Sequence, residues 1–254
     1  MALRTRALAA SGGAALLGLV VTGCGSADPG DAPTEHKSFA LSGKTLTIDT
    51  GNTTLELVPA DVEKVEVTRR VDGWVVGGSG PEPRWAMRDD TLTLRVKCRA
   101  LISDCASQHK VKVPRGVAVV VKGGNGRVSA SGFDASLTVR NTNGEVAVRD
   151  SSGPLRLENR NGAVVAEKIS AKSVTARTDN GGIRLAFTAV PDLVDTRSGN
   201  GSTTIGLPGG SATYAVDADA RNGGTSVDVP HGGDSTHVVK ARSTNGRISV
   251  RTAN

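Results

Sequence analysis

Polar and apolar positions alternate along most of the chain in short runs that break at a recurring Asn-Gly step. The step occurs at Asn125-Gly126, Asn143-Gly144, Asn161-Gly162, Asn180-Gly181, Asn200-Gly201, Asn222-Gly223 and Asn245-Gly246, at intervals of 18, 18, 19, 20, 22 and 23 residues. Six residues before each Asn stand Val119, Leu137, Leu155, Val174, Val194, Val216 and Val239, and four before stand Val121, Val139, Leu157, Ala176, Thr196, Ala218 and Ala241. Three after come Val128, Val146, Val164, Ile183, Thr203, Thr225 and Ile248; five after come Ala130, Val148, Ala166, Leu185, Ile205, Val227 and Val250. Alternation with a period of two on both flanks predicts two half-buried strands per repeat, bent at the Asn-Gly step. Asn52 fits the same frame, with Leu46 and Ile48 before it and Leu55 and Leu57 after it, so the repeat starts near Thr45.

Asn-Gly is a favoured hairpin turn, so an antiparallel meander is one reading. The other is a stack of coils, each laying its inward residues on the previous one about 4.8 Å away. Similar residues at each rung favour the stack, and small residues near the turn suit a narrow interior. The expected fold is therefore all-β, a β-helix-like solenoid of about eight short coils with Asn-Gly turns whose glycines take positive φ. Stacking in chain order makes the coil of Gly246 the terminal one.

The segments FALSGKTLTIDTGNTTLELVP, KVKVPRGVAVVVKGGNGRVSASG, LTVRNTNGEVAVRD and STNGRISVRT resemble the bacterial putative-adhesin family of β-strand-repeat proteins, over roughly residues 39–254. The resemblance implies a surface location and brings no established activity with it.

The first 23 residues read as a signal peptide. Arg4 and Arg6 precede a charge-free apolar run, Ala7 to Val21, too short for a comfortable membrane span. Val21-Thr22-Gly23-Cys24 then resembles a bacterial lipobox, which makes Cys24 the lipidated first residue of the mature chain. Residues 24–37 are polar, with two prolines, and read as a flexible tether. Residues 38–254 form the solenoid domain, with an insertion and disulfide loop over 69–110. The expected location is the cell membrane, lipid-anchored on the extracytoplasmic side, where several acyl chains hold stably. Of 31 basic and 25 acidic residues, only Arg4 and Arg6 fall in the leader, so removing it lowers the formal charge from +6 to +4.

Composition narrows the chemistry. Aromatics are 2% of the chain: Phe39, Trp74, Trp85, Phe133, Phe187 and Tyr214. That is too few for stacking-based recognition, so no nucleic acid is expected as partner. Trp74 and Trp85 fall in a Gly- and Pro-rich excursion, where they either cap one end of the solenoid or form a ligand patch. With Cys24 assigned to lipid, Cys98 and Cys105 remain; in an oxidising compartment they read as a local disulfide closing a loop between two strands, two free thiols being the alternative.

No motif identifies a catalytic centre. His36 falls in the tether and His109 in the loop beside Cys105, while His231 and His237 bracket HGGDSTH, which matches no zinc spacing and reads as a polar loop. Glu145, Asp150, Glu167, Asp179 and Asp195 sit at unrelated phases of the repeat and build no paired-carboxylate site. Gly123-Gly124-Asn125-Gly126 lacks the Lys-Ser/Thr of a phosphate loop. No metal, cofactor or enzymatic activity is expected. The leading function is a non-catalytic interaction module on a lipid anchor, adhesin-like, with an envelope polymer or protein as partner. A structural or regulatory envelope component is the alternative, and a polysaccharide-active solenoid enzyme the third.

One outward position bears on the first. Three residues before each Asn stand Lys122, Arg140, Glu158, Arg177, Arg197, Asp219 and Arg242, which stacking would align into one stripe. Lys122, Arg140, Arg177, Arg197 and Arg242 make it a candidate track for anionic envelope polymers or phospholipid head groups. Charge alternation along the stripe, with Glu158 between Arg140 and Arg177 and Asp219 between Arg197 and Arg242, would instead make it a self-neutralising ladder that needs no ligand.

Overall fold

The computed structural model describes residues 27–253; Cys24 and the leader lie outside the described residues. The chain forms nineteen strands and, among the described residues, no helix. The first five are β1 (Glu35–Phe39), β2 (Thr45–Thr50), β3 (Thr54–Ala60), β4 (Val65–Arg88) and β5 (Thr91–Pro114). The repeats follow as β6 (Ala118–Lys122), β7 (Val128–Ser131), β8 (Leu137–Asn143), β9 (Val146–Arg149), β10 (Leu155–Asn161), β11 (Val164–Ile169), β12 (Ser173–Asn180), β13 (Ile183–Phe187), β14 (Leu193–Asn200) and β15 (Thr203–Leu207). The last four are β16 (Ala215–Asn222), β17 (Thr225–Asp228), β18 (Val238–Asn245) and β19 (Ile248–Thr252).

Each repeat supplies one strand before its Asn-Gly step and one after it, and both pair in parallel with their equivalents in adjacent repeats. Leu155 of β10 lies between Leu137 of β8 and Val174 of β12, while Val164 of β11 lies between Val146 and Ile183. This is a solenoid, and the parallel register excludes the meander. The apolar rungs named above form one core from Leu46 to Val250, with Thr196 and Thr203 buried beside them. Gly126, Gly144, Gly162, Gly181, Gly201 and Gly246 take positive φ. At Gly162 (φ 138°) a β-carbon would sit 2.2 Å from the Gly144 carbonyl oxygen of the coil beneath, so conformation and close stacking both require glycine.

The coils do not stack in chain order. β14 pairs with β18, not with β16, and β18 pairs with β16 on its other side. β15, β19 and β17 repeat the arrangement on the opposite face. The last repeat is therefore interposed between the two that precede it. The coil of Gly246 is internal, against the sequence expectation, and the coil of Gly223 is terminal. Exposure agrees: Thr225 is exposed and Val216, Ala218 and Val227 only half-buried, whereas Val239, Ala241, Ile248 and Val250 are buried.

At the other end β2 and β3 stack between the β6–β7 coil and the single long strand β5, whose two ends pair with β2 and β3 respectively. β4 lies antiparallel on β5 along almost its whole length, and β1 lies antiparallel on β4. This antiparallel layer closes the stack with Phe39, Val65 and Val67, and Trp85 packs edge-on against Phe39 at 6.4 Å. Two boundaries differ from the expected ones. Strand structure begins at Glu35, inside the segment read as tether, because β4 offers it a pairing edge. The excursion over 69–110 is not a loop but part of a hairpin running from Val65 to Pro114.

Candidate functional site

Stacking brings the outward stripe together in an order set by the interposed coil. Lys122 faces Arg140, Arg140 faces Glu158, and Glu158 faces Arg177. Arg177 then faces Arg197, and Arg197 faces Arg242, with Asp219 beyond Arg242 at the edge. Asp219 thus does not separate Arg197 from Arg242; three arginines occupy consecutive strands. The carboxylates around them are unevenly placed. Arg140 pairs with Glu158 (3.0 Å), Arg177 with Asp195 (3.4 Å), and Arg242 with Asp217. The Arg242 pair holds the Asp217 carboxyl below its usual range through a direct hydrogen bond. Among the described residues Lys122 and Arg197 have no ion-pair partner, and Asp49, beside Lys122, is taken by Arg95 at 2.8 Å. Arg197, at the centre of the arginine run, therefore makes no ion pair among the described residues, while Asp195, Asp217 and Asp219 act on its neighbour Arg242.

The Asn side chains at the bend form a second row. Asn125 Nδ2 donates to Asn52 Oδ1 (2.7 Å), Asn161 to Asn143 (2.8 Å), Asn180 to Asn161 (2.9 Å) and Asn200 to Asn180 (2.8 Å). Asn143 bonds Asn125, Asn245 bonds Asn200 (2.7 Å), and Asn222 bonds Asn245 (2.9 Å). Between the ends, where Asn52 only accepts and Asn222 only donates, each amide does both along the stack, an arrangement that strengthens its members mutually. The row supports the fold and leaves the inner amides little capacity for a ligand.

A third row was not read from the sequence. Two residues before the Asn, facing inward, stand Asn141, Asn159, Thr178, Ser198 and Ser243. Their side chains donate to the carbonyl oxygens of Gly126, Gly144, Gly162, Gly181 and Gly201 in the neighbouring coil, at 3.1, 2.7, 3.0, 3.0 and 3.3 Å. The tight bend turns these carbonyls away from the ladder, and a short polar side chain satisfies each one. The signal was available: a polar residue at an inward phase in nearly every repeat.

Cys98 and Cys105 are bonded, and both lie on β5, not on two strands flanking a loop. Seven residues of extended strand would span about 23 Å, yet their α-carbons are 6.7 Å apart. The β4–β5 ribbon therefore doubles back on itself, with the bridge across the neck. The fold of the ribbon carries Leu101 and Ile102, with Ile102 opposite Val76 and Leu101 over Gly77. Trp74 lies on this ribbon opposite Asp104, whereas Trp85 belongs to the cap. The two tryptophans do not form one patch.

The histidines do not converge. His109 is buried in β5, not in a loop, 2.8 Å from the Thr53 hydroxyl. Burial first, and then the charge of Arg69, lower its pKa from 6.5 to about 4. Arg69 is itself buried, bonds Glu35 at 2.7 Å and stacks 3.8 Å from the Trp85 ring centre. His231 Nδ1 lies 2.9 Å from the Val229 carbonyl and His237 Nδ1 3.0 Å from that of Pro191. Glu145, Asp150 and Glu167 are spent on Arg127, Lys168 and Arg149. Among the described residues no group of three or more His, Cys, Asp or Glu side chains is placed to hold a metal ion.

A parallel two-strand solenoid with a side-chain Asn row at every bend defines a β-strand-repeat domain. The chain belongs to the Toastrack DUF4097 family, whose model matches residues 106–254, from the second half of β5 through every later coil. No curated protein matches the chain. Among solved structures it is similar to a putative adhesin from Bacteroides fragilis (14% identity, TM-score 0.47, covering 87% of this chain and 98% of that one). Another putative adhesin, from Parabacteroides merdae, is 13% identical with a TM-score of 0.44, over 87% of this chain and 97% of that one. A putative cell adhesion protein from Clostridium sporogenes is 12% identical with a TM-score of 0.37, over 87% and 99%.

Proposed function

We propose that this chain is a lipid-anchored surface domain that acts by binding, adhesin-like in kind, and that its partner is a polyanion of the cell envelope. The observation carrying the binding role is the run Arg177, Arg197 and Arg242 on three consecutive strands, with Arg197 in no ion pair among the described residues. The solenoid sets the α-carbons of these arginines about 4.8 Å apart, which lets their side chains reach neighbouring charges of one anionic polymer. The anchor reading rests on Val21-Thr22-Gly23-Cys24 behind a charge-free apolar run. The anchor supports a location on the extracytoplasmic face of the membrane, and the role proposed there is binding.

The test uses inorganic polyphosphate as probe and the full chain in detergent, at about 50 mM and about 300 mM salt. Weak binding that falls with salt, and falls again in Arg177→Ser/Arg197→Ser, is expected. Binding unchanged by salt and by both substitutions would leave the row as a solvated ladder and overturn the reading.

A further inference from the structure

We propose that the folded-back tip of the β4–β5 ribbon is a membrane-docking element that seats Val76, Leu101 and Ile102 in the interface of an anionic bilayer, beside the lipid on Cys24. The proposal rests on the anchor reading above.

The tip is an unusual surface for this molecule. Leu101 is 89% exposed, Ile102 60% and Val76 55%. The remaining large exposed apolar side chain among the described residues, Leu193 at 38%, lies on β14 in the body of the solenoid. Val76 and Ile102 are register partners, and Leu101 lies over Gly77, where a β-carbon would meet its side chain at 3.2 Å. Elsewhere the outward positions are mostly charged or polar, and apolar ones such as Val120, Ala147 and Val165 are half-buried, so three exposed apolar side chains at the fold of the ribbon need a cover. The Cys98–Cys105 bridge holds the neck of the ribbon and keeps the tip presented.

The course of the N-terminal segment identifies the cover. Arg70 binds the Thr34 hydroxyl (3.0 Å) and the Gly30 carbonyl (3.0 Å). Asp28 N–H then donates to Asp72 (2.8 Å), and Ala27 N–H to Asp104 (2.8 Å). Followed backwards from β1, the chain thus runs along the ribbon towards its tip. Only three residue steps separate Ala27 from Cys24, at most about 11 Å of chain. Asp104 is two residues from Ile102 and three from Leu101, about 7–10 Å along the strand. An acylated Cys24 and the apolar tip are therefore held within reach of the same surface. Lys97 and Arg99, both exposed and without an ion-pair partner among the described residues, flank the tip and match the charge of anionic headgroups.

The experiment uses the full chain, processed in a bacterial host and reconstituted into phosphatidylcholine–phosphatidylglycerol vesicles. Leu101→Trp is compared with the parent chain, whose two tryptophans supply the background. A docked tip sits about 5–10 Å into the headgroup and acyl boundary. Nitroxide-labelled lipid should then remove most of the added emission while aqueous iodide removes little. In Val76→Ser/Leu101→Ser/Ile102→Ser, trypsin should cleave after Lys97 or Arg99 several-fold faster on vesicles than in the parent. These side chains are exposed, so folding survives, and a retained melting transition verifies it. If Cys24 carries lipid by mass but the added Trp stays open to iodide and unquenched by nitroxide, docking is overturned and the anchor stands. If Cys24 carries no lipid, the anchor reading falls and the proposal with it. Shielding that follows protein concentration and ignores nitroxide lipid would assign the tip to a second copy and overturn the proposal.

Discussion

The interposed coil can be tested by cross-linking at three exposed outward positions. Arg242 faces Arg197 on one side and Asp219 on the other, so its α-carbon lies about one strand spacing, 4.8 Å, from each. Arg197 and Asp219 are two spacings apart, about 9.6 Å. A disulfide needs α-carbons about 4.4–6.8 Å apart. Arg197→Cys/Arg242→Cys should therefore close under mild oxidation, and Arg197→Cys/Asp219→Cys should not. The new bridge closes a loop of roughly 45 residues, worth on the order of 4 kcal/mol against the unfolded chain. Losing the Arg242–Asp217 pair takes back about 1 kcal/mol or less, because it is exposed. The oxidised first variant should thus unfold at clearly higher denaturant than its reduced form. Peptide mapping by mass spectrometry after alkylation reads the pairing, with Cys98–Cys105 as internal reference. Efficient closure of Arg197→Cys/Asp219→Cys, with none between positions 197 and 242, would refute the interposed order and restore stacking in chain order.

Gly162→Val and Gly246→Val should each lower stability by about 1–3 kcal/mol, since both sites combine positive φ with a neighbouring carbonyl near 2.2–2.3 Å; Gly223→Val meets the Gly246 carbonyl at 2.2 Å as well, but without the positive φ and in the terminal coil it should cost less by denaturant titration. His109 stays neutral when buried, so below about pH 6.5 the unfolded chain binds a proton that the folded chain refuses. Stability is full above that pH and falls towards the folded pKa of about 4, by up to about 3 kcal/mol, and His109→Gln should flatten the slope between about pH 7 and pH 4.5. Thiol alkylation of the exported protein should label neither Cys98 nor Cys105, and quantitative labelling of both would refute the bridge in the native protein. Cys24→Ala should release the chain from membranes or leave it unprocessed; a mutant that fractionates with membranes at its mature mass would sink the anchor reading.

The rungs of the solenoid were legible because each one is local: a Val, Leu or Ile at a fixed offset from Asn-Gly states its own face. The row of Asn141, Asn159, Thr178, Ser198 and Ser243 was written in the same phase but was overlooked, since an inward polar residue has meaning only once the bent glycine carbonyl above it is seen. His109 looked like a loop residue because it follows a cysteine pair that suggested a loop. In fact the chain from Val65 to Pro114 pairs with itself as a ribbon, and Leu55 opposite His109 carries the ribbon's base into the core. Pairing between segments some forty residues apart leaves no short-range trace when Gly and Pro interrupt the alternation.

Coil order was the least legible feature, because every repeat obeys the same frame and any two can stack. What decides it is how well each coil tolerates burial on both sides. The β18–β19 coil offers Val239, Ala241, Ile248 and Val250, and Ser243 to satisfy the Gly201 carbonyl. The β16–β17 coil offers Val216, Ala218, Thr225 and Val227, and at the phase of Ser243 it has Ala220, which cannot donate. An internal position gains from apolar rungs on two sides and suffers from an unsatisfied carbonyl. The better equipped coil therefore takes the inside and the weaker one takes the edge, where water covers its outer backbone and the charges of Asp217, Asp219 and Arg221 discourage pairing with another chain. The same choice moves Asp219 outward and sets Arg242 against Arg197. The arginine run on which the proposed binding depends is thus a consequence of which coil could bear to be buried.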